Sequence, residues 1–293
     1  IFGILDKLEI EAFIYIGGND SMDTIKKLSD YAIVKGHKQK FLGVPKTIDN
    51  DLALTDHTPG FGSAARYVAS TVREITIDAN VYEKKSVTII EIMGRHAGWL
   101  TAASALARKY TGDNPLLIYL PETAFDQEEF LKAVENSFEK NCNVIVCVSE
   151  GIHDDKGTFI CEYDNSVGTD TFGHKMLAGC GKYLENLVRS RLGVKARSIE
   201  LNVSQRCSAS MLSDTDRQEA ITAGSFGVQA ALKAVDLDVM EGIARLCDQT
   251  VLHALFPARK MDLGGGVGFF DGSRNGQSRV DMAGSAASCN EYT

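Results

Sequence analysis

Five short apolar runs alternate with helical patterns over the first half of the sequence. The runs show no alternation of polar and apolar residues, which is typical of strands buried on both faces of a parallel sheet. The runs are 12–16, 41–44, 87–92, 116–120 and 144–148, and helical patterns lie at 5–9, 22–32, 62–77, 98–108 and 126–138. The sequence therefore predicts an α/β fold with mostly parallel sheets flanked by helices.

Composition narrows the class of protein further. The 293 residues suffice for one large domain or two medium ones, and the net charge of −8 argues against nucleic-acid binding. No apolar stretch approaches the roughly 18 residues of a membrane span. Seven cysteines without a C-x-x-C pair, together with the lack of a signal peptide, predict a cytoplasmic protein. The start at Ile1, inside a helical pattern, predicts that upstream residues are missing.

The segment 45–51 carries the densest chemistry. It follows the second apolar run, and ligands of open α/β sheets bind at the carboxyl ends of strands. Asp49 is a candidate base for a hydroxyl proton, Asp51 would orient it or share a metal, and Lys46 would contact phosphate oxygens. The alternative is a solvated loop, but two acids, a lysine and the hydroxyl of Thr47 within seven residues favour a site.

The turn after the first run offers a second candidate site. Gly17 and Gly18 allow a ligand to approach the backbone closely, and the helix that follows presents free N–H groups to an anion. Asn19 and Asp20 supply oxygen ligands of the kind that Mg²⁺ prefers. Ordinary turn chemistry explains the same residues equally well.

Further polar residues follow the third and fifth runs. Arg95 can bind a phosphate with two parallel hydrogen bonds, and Glu150 can accept hydrogen bonds from sugar hydroxyls. Arg197 and Arg206 form a basic group in an acidic chain, for which surface ion pairs are the alternative. The sequence contains no Walker A, zinc or nucleophile-elbow motif.

With these motifs in this order, the chain resembles the phosphofructokinase family from about residue 8 to about residue 235. The resemblance implies phosphoryl transfer to the 1-hydroxyl of fructose 6-phosphate, with Mg²⁺ as cofactor. It implies Asp49 as proton acceptor, with Asp51, Lys46 and Arg95 also catalytic. The implied sugar-phosphate residues are Thr47, Asp49, Met93, Gly94, Arg95, Glu150, Arg197, Val203 and Arg206, with Arg197 reaching a neighbouring subunit. The implied donor residues are Gly17, Gly18, Asp20 and Lys46, and the metal would be held by Asn19 and Asp20, although the family usually has aspartate in place of Asn19.

The resemblance also bears on the phosphoryl donor. ATP-dependent members resemble this pattern with glycine in place of Asp20 and Lys46. An aspartate at the first position would repel the ATP α-phosphate, and a lysine at the second would pair with a short polyphosphate. Some family members with lysine at the second position use ATP. Asp20 is therefore a better indicator of the phosphoryl donor than Lys46 is. The sequence thus predicts the pyrophosphate-dependent branch.

By resemblance, the chain forms two lobes with the active site in the cleft between them. Residues 1–60 and 207–235 would form the donor lobe and 61–206 the sugar-phosphate lobe, while 236–293 stay unassigned with a Gly- and Ser-rich tail from about 262. A homodimer or homotetramer is expected, with fructose 6-phosphate and pyrophosphate as small-molecule partners. The alternatives are an ATP-dependent phosphofructokinase, a non-catalytic regulatory subunit, and, last, a lipid or NAD kinase relative.

Overall fold

The computed structural model describes residues 1–52, 55–110, 113, 117–164 and 179–236. These residues divide into two compact units, Ile1–Ser63 with 209–236 and Ala64–Ser208. The strands are β1 (Ala12–Gly17), β2 (Lys40–Pro45), β3 (Ser86–Ile92), β4 (Leu117–Tyr119), β5 (Asn143–Ser149) and β6 (Lys195–Glu200). The α-helices are α1 (Phe2–Lys7), α2 (Asn19–Lys35), α3 (Phe61–Ala79), α4 (Trp99–Ala103), α5 (Gln127–Ser137), α6 (Cys180–Leu192) and α7 (Asp214–Asp236). Short 3₁₀ turns lie at Ser104–Ala107, Ile160–Asp164, Asn202–Arg206 and Ala209–Met211.

The first unit is built on a parallel pair of strands, β1 and β2. Helix α2 connects them and ends at Gly36, whose φ of 70° is the left-handed conformation that glycine adopts readily at a helix end. Apolar residues spaced along α2, among them Ile25 and Ala32, pack on Leu5 and Phe41. Helix α7 packs against β2 as well, so that helices hold the strand carrying the 45–51 segment.

The second unit contains a four-stranded parallel sheet in the order β4-β5-β3-β6. Every residue of β5 is buried, and so is every residue of β3 after Ser86. Helix α5 begins at Asp126, whose side chain accepts a hydrogen bond from the Glu129 amide at 2.8 Å, as in a helix cap. The predicted parallel sheets flanked by helices are thereby confirmed.

Several elements differ from the sequence-based expectation. The helix expected over 98–108 is α4 followed by a 3₁₀ turn, and the one expected over 5–9 ends at Lys7. Strand β1 is not buried on both faces, since Tyr15 is 37% and Ile16 62% exposed. Among the described residues β1 pairs with β2 alone, so the other edge of β1 has no strand partner there.

No helix in the described part of the chain is both long and apolar enough to cross a membrane. Residues 237–293, including the Gly- and Ser-rich tail from about 262, lie outside the described residues.

Candidate functional site

The carboxyl ends of β1 and β2 lie side by side in the first unit. Gly17 pairs in register with Pro45, and the Lys46 amide donates a hydrogen bond to the Gly17 carbonyl at 2.8 Å. Gly18 approaches the same segment, since a Cβ on it would lie 3.5 Å from the Lys46 carbonyl oxygen. The side chains of Lys46 and of Asp20, in the first turn of α2, are both exposed. The polar residues after the two strands therefore share one edge of the sheet.

A side-chain contact joins the two strand ends directly. The Asn19 amide nitrogen donates to Asp51 Oδ2 at 2.6 Å. The other carboxylate oxygen of Asp51, Oδ1, is buried and has no hydrogen-bond partner among the described residues. Because a buried carboxylate oxygen without a donor is unfavourable, this oxygen is a ready position for a cation.

The backbone between Asp49 and Asp51 is held in a fixed shape. Thr47 is buried, and its hydroxyl accepts a hydrogen bond from the Asp49 amide at 3.1 Å. Asn50 has a φ of 54°, the left-handed region that asparagine tolerates better than most residues.

The Asn50 side chain fixes the loop that follows. It donates to the Asp56 carbonyl at 3.0 Å and accepts from the Thr58 amide at 2.8 Å. Asn50 thereby determines the relative placement of the two carboxylates beside it. Sequence reasoning missed this role, although an asparagine between two acids in a turn was the available signal.

In the second unit, the loops after β3 and β5 touch. The Gly94 amide donates to Glu150 Oε1 at 3.3 Å, and the Ser149 hydroxyl donates to the Gly94 carbonyl. Gly94 has a φ of 135°, which side chains rarely permit. A Cβ on Gly151 would overlap the Arg95 carbonyl, so the two backbones are in contact. The structure thus brings the 93–95 segment and Glu150 together.

A buried glutamine ties a third segment to this pair. Gln205 is 2% exposed, accepts a hydrogen bond from the Met93 amide at 3.3 Å and donates to the Asn202 carbonyl at 3.0 Å. It lies in the 3₁₀ turn that carries Val203 and Arg206, both of which are exposed. Gln205 therefore positions that turn beside Met93, a role that the sequence did not reveal.

Arg197 lies elsewhere on the same sheet. It pairs with Thr88, four residues before β3 ends at Ile92. Four strand residues span about 13 Å, so the Arg197 backbone lies well back from the Gly94–Glu150 loops of its own chain. Its guanidinium lies 4.0 Å from an Asp78 carboxylate oxygen, in a partly exposed ion pair.

A buried acid supports the β3 end of the site. Glu91 accepts hydrogen bonds from the amides of Gly179 at 3.1 Å and Gly181 at 2.7 Å, where α6 begins. Burial raises the pKa of Glu91, because the loss of water outweighs the opposing hydrogen bond from Gly181. Glu91 fixes α6 against β3, the strand that precedes Met93.

The family described as phosphofructokinase matches residues 1–232. The pyrophosphate–fructose 6-phosphate 1-phosphotransferase of Xanthomonas campestris pv. campestris (strain B100) is 42% identical over 257 residues, which cover 87% of this chain and 61% of that protein. The protein of the same name from Rhodospirillum rubrum is 42% identical over 237 residues, covering 79% and 58%.

A solved structure is also similar. The pyrophosphate-dependent phosphofructokinase from Marinobacter aquaeolei has a TM-score of 0.65 and 34% sequence identity, over 79% of this chain and 54% of that one. The chain thus spans about three fifths of the length of the two curated relatives, at 61% and 58%.

Proposed function

Because the chain belongs to the phosphofructokinase family, we propose that it transfers a phosphoryl group from pyrophosphate to the 1-hydroxyl of fructose 6-phosphate. The product is fructose 1,6-bisphosphate, and the step is reversible. The observation that carries the proposal is the pairing of Gly17 with Pro45, because Asp20 and Lys46 follow these two adjacent strand ends. The two bacterial relatives are named for the same donor and acceptor.

The donor preference rests on the charges of Asp20 and Lys46. Both side chains are exposed at the shared strand edge, where a phosphate chain can reach them. ATP extends beyond its transferred and neighbouring phosphates, and an aspartate there repels the additional negative charge. Pyrophosphate stops short of that position, and the compact Lys46 ammonium pairs with its terminal oxygens.

The acceptor residues divide between proton transfer and sugar binding. Asp49 takes the proton of the 1-hydroxyl, and Thr47 contacts the sugar. The sugar-phosphate residues in the second unit are Met93, Gly94, Arg95, Glu150, Val203 and Arg206. Phosphoryl transfer depends on positioning and charge neutralisation more than on covalent chemistry. The proposed site residues, none of which is assigned as a nucleophile, suit such a reaction.

Arg197 acts on the substrate of a neighbouring subunit. Its place beside Thr88, four residues before β3 ends and the substrate loops of its own chain begin, supports this assignment. The protein would then function in the cytoplasm as a homodimer or homotetramer, because an isolated subunit would lack one of the arginines that hold the 6-phosphate.

Mg²⁺ is the cofactor that fits the first strand edge. Asp51 would hold it through the buried Oδ1 that has no donor in the described part of the chain, with Asn19 and Asp20 beside it. The bound ion would neutralise charge on the phosphate oxygens.

A double substitution tests the donor proposal. Replacing Asp20 and Lys46 together by glycine should lower the rate with pyrophosphate and raise the rate with ATP, because the repulsion and the ion pair are both removed. The matched control replaces Asp23 and Lys27, an exposed ion pair one turn further along α2, by glycine. Steady-state rates are measured with each donor. The proposed roles would be contradicted if the Asp20 and Lys46 variant and the control showed the same change in rate.

A further inference from the structure

Three potential metal ligands meet in the first unit, away from the donor residues. His57 lies in the loop before α3, and Asp216 and Glu219 lie one turn apart on α7. One ligand atom of each residue lies within 4.8 Å of the other two. His57 and Glu219 are 31% and 25% exposed, so an ion can reach the cluster from solvent.

Asp216 contributes a buried oxygen that lacks a hydrogen bond. The residue is 3% exposed, and its Oδ2 accepts hydrogen bonds from both the amide and the hydroxyl of Ser63 at 2.5 Å. Its Oδ1 is buried with no hydrogen-bond partner among the described residues. His57 Nε2 lies 3.5 Å from this oxygen, beyond a normal hydrogen bond. Ser63 thus fixes the carboxylate with one oxygen aimed at the imidazole.

The imidazole is oriented by Glu219. His57 Nδ1 lies 2.6 Å from Glu219 Oε2, so in the neutral ring Nδ1 donates and Nε2 keeps its lone pair. In that tautomer the Nε2 lone pair and the Asp216 Oδ1 atom lie 3.5 Å apart, and two electron-rich atoms at this distance attract a cation between them. Carboxylates that orient metal-binding histidines in this way are a common feature of metal sites.

The separation of the two atoms fits a bound ion. Ligands that lie roughly 2.1 Å from a tetrahedral ion are roughly 3.4 Å apart, close to the observed 3.5 Å between His57 Nε2 and Asp216 Oδ1.

Gly62 keeps the position between them open. A Cβ on this residue would lie 3.1 Å from His57 Nε2 and 3.4 Å from Asp216 Oδ2. Gly62 is in the first turn of α3 and has no positive φ, so its backbone does not require glycine.

We propose that His57 Nε2 and Asp216 Oδ1 bind a divalent transition-metal cation of the zinc type, while Glu219 orients the imidazole through Nδ1. An imidazole with carboxylates suits Zn²⁺ or Co²⁺, whereas Mg²⁺ prefers oxygen ligands alone. The ion clamps α7 to the loop that contains Thr58, whose amide is bonded to Asn50. The proposal does not depend on the phosphoryl donor, since none of its ligands belongs to the donor residues.

The test titrates the chain with Co²⁺, followed by visible absorbance, and with Zn²⁺, followed by the melting temperature, both in excess Mg²⁺. Loss of the ligand in His57→Gln, or of the orienting carboxylate in Glu219→Gln, should weaken binding by at least tenfold, the lower range for substitutions of groups that orient metal ligands. Gly62→Ala should weaken metal binding similarly, because its Cβ would lie 3.1 Å from His57 Nε2. Its effect on the stability of α3 should be opposite, because alanine favours a helix more than glycine does. Asp214→Asn is the control, because that side chain on the same helix is 97% exposed.

Absence of saturable Co²⁺ and Zn²⁺ binding, or equal affinity in the control and ligand variants, would overturn the proposal. The cluster would then be a side-chain network of His57, Asp216 and Glu219 without a bound ion. Because Glu219 lies partly in solvent, Glu219→Gln stays informative if His57→Gln fails to fold.

Discussion

Asn50 should be among the most sensitive positions of the first unit. It is 7% exposed, has a φ of 54° and makes two side-chain hydrogen bonds to the loop that follows it. Glycine at this position permits the same backbone conformation but lacks the hydrogen bonds. Alanine lacks the hydrogen bonds as well, and it also disfavours the backbone conformation. The two substitutions therefore separate the side-chain contribution from the backbone contribution.

The expected magnitudes follow from these contacts. Asn50→Gly removes two hydrogen bonds and leaves the buried Thr58 amide without a partner, a loss of about 2–3 kcal/mol in the free energy of unfolding. Asn50→Ala should lose ~1 kcal/mol more, since a Cβ disfavours the left-handed conformation. Both variants should also lower turnover, because Asp49 and Asp51 flank the altered residue.

Urea denaturation followed by circular dichroism measures these differences. Asn202 is the matched control, because it has a φ of 43° but an exposed side chain. Asn202→Gly should change the free energy of unfolding by only a few tenths of a kcal/mol, and Asn202→Ala by about 1 kcal/mol. Equal stabilities of Asn50→Gly and the unmodified chain would refute the role assigned to the Asn50 side chain.

Three other predictions concern the second unit. Gly94→Ala should raise the KM for the sugar phosphate about tenfold or more, because a Cβ would overlap the Ala97 carbonyl and φ is 135°; an unchanged KM would count against this loop. Burial raises the pKa of Glu91, so its stabilising effect is complete below about pH 4.3 and is lost as pH rises towards the native pKa. Urea unfolding across that range should show a shallower decline in Glu91→Gln, and an identical decline would contradict the shift. Burial also raises the pKa of Cys147 to about 12, so mass spectrometry after iodoacetamide treatment of the native protein should find exposed Cys207 modified and Cys147 intact; the reverse order would be inconsistent with the fold.

The strands of the first half of the chain could be predicted because they are apolar runs between helical patterns. β3 and β5 are buried almost throughout, which is the situation in which a continuous apolar run indicates a parallel strand. β6 was missed, since it contains Lys195, Arg197 and Glu200 and has only one buried residue. Its strand conformation comes from pairing with β3, a contact that local pattern does not show.

The candidate site was predictable in its residue types and less so in its supporting contacts. The acids and the lysine of segment 45–51 stand out by their density. The role of Gln205 depends on a hydrogen bond to Met93, 112 residues away, and that of His57 on a contact with Glu219, 162 residues away. Such contacts arise only when distant elements pack, and no local spacing indicates them.

The phosphoryl donor is the central claim, and a single comparison of rates tests it most directly. Initial rates of fructose 1,6-bisphosphate formation by the unmodified chain are measured with saturating fructose 6-phosphate and Mg²⁺, with either pyrophosphate or ATP. Asp20 and Lys46 predict a higher kcat/KM with pyrophosphate. A higher kcat/KM with ATP would contradict the roles of both residues.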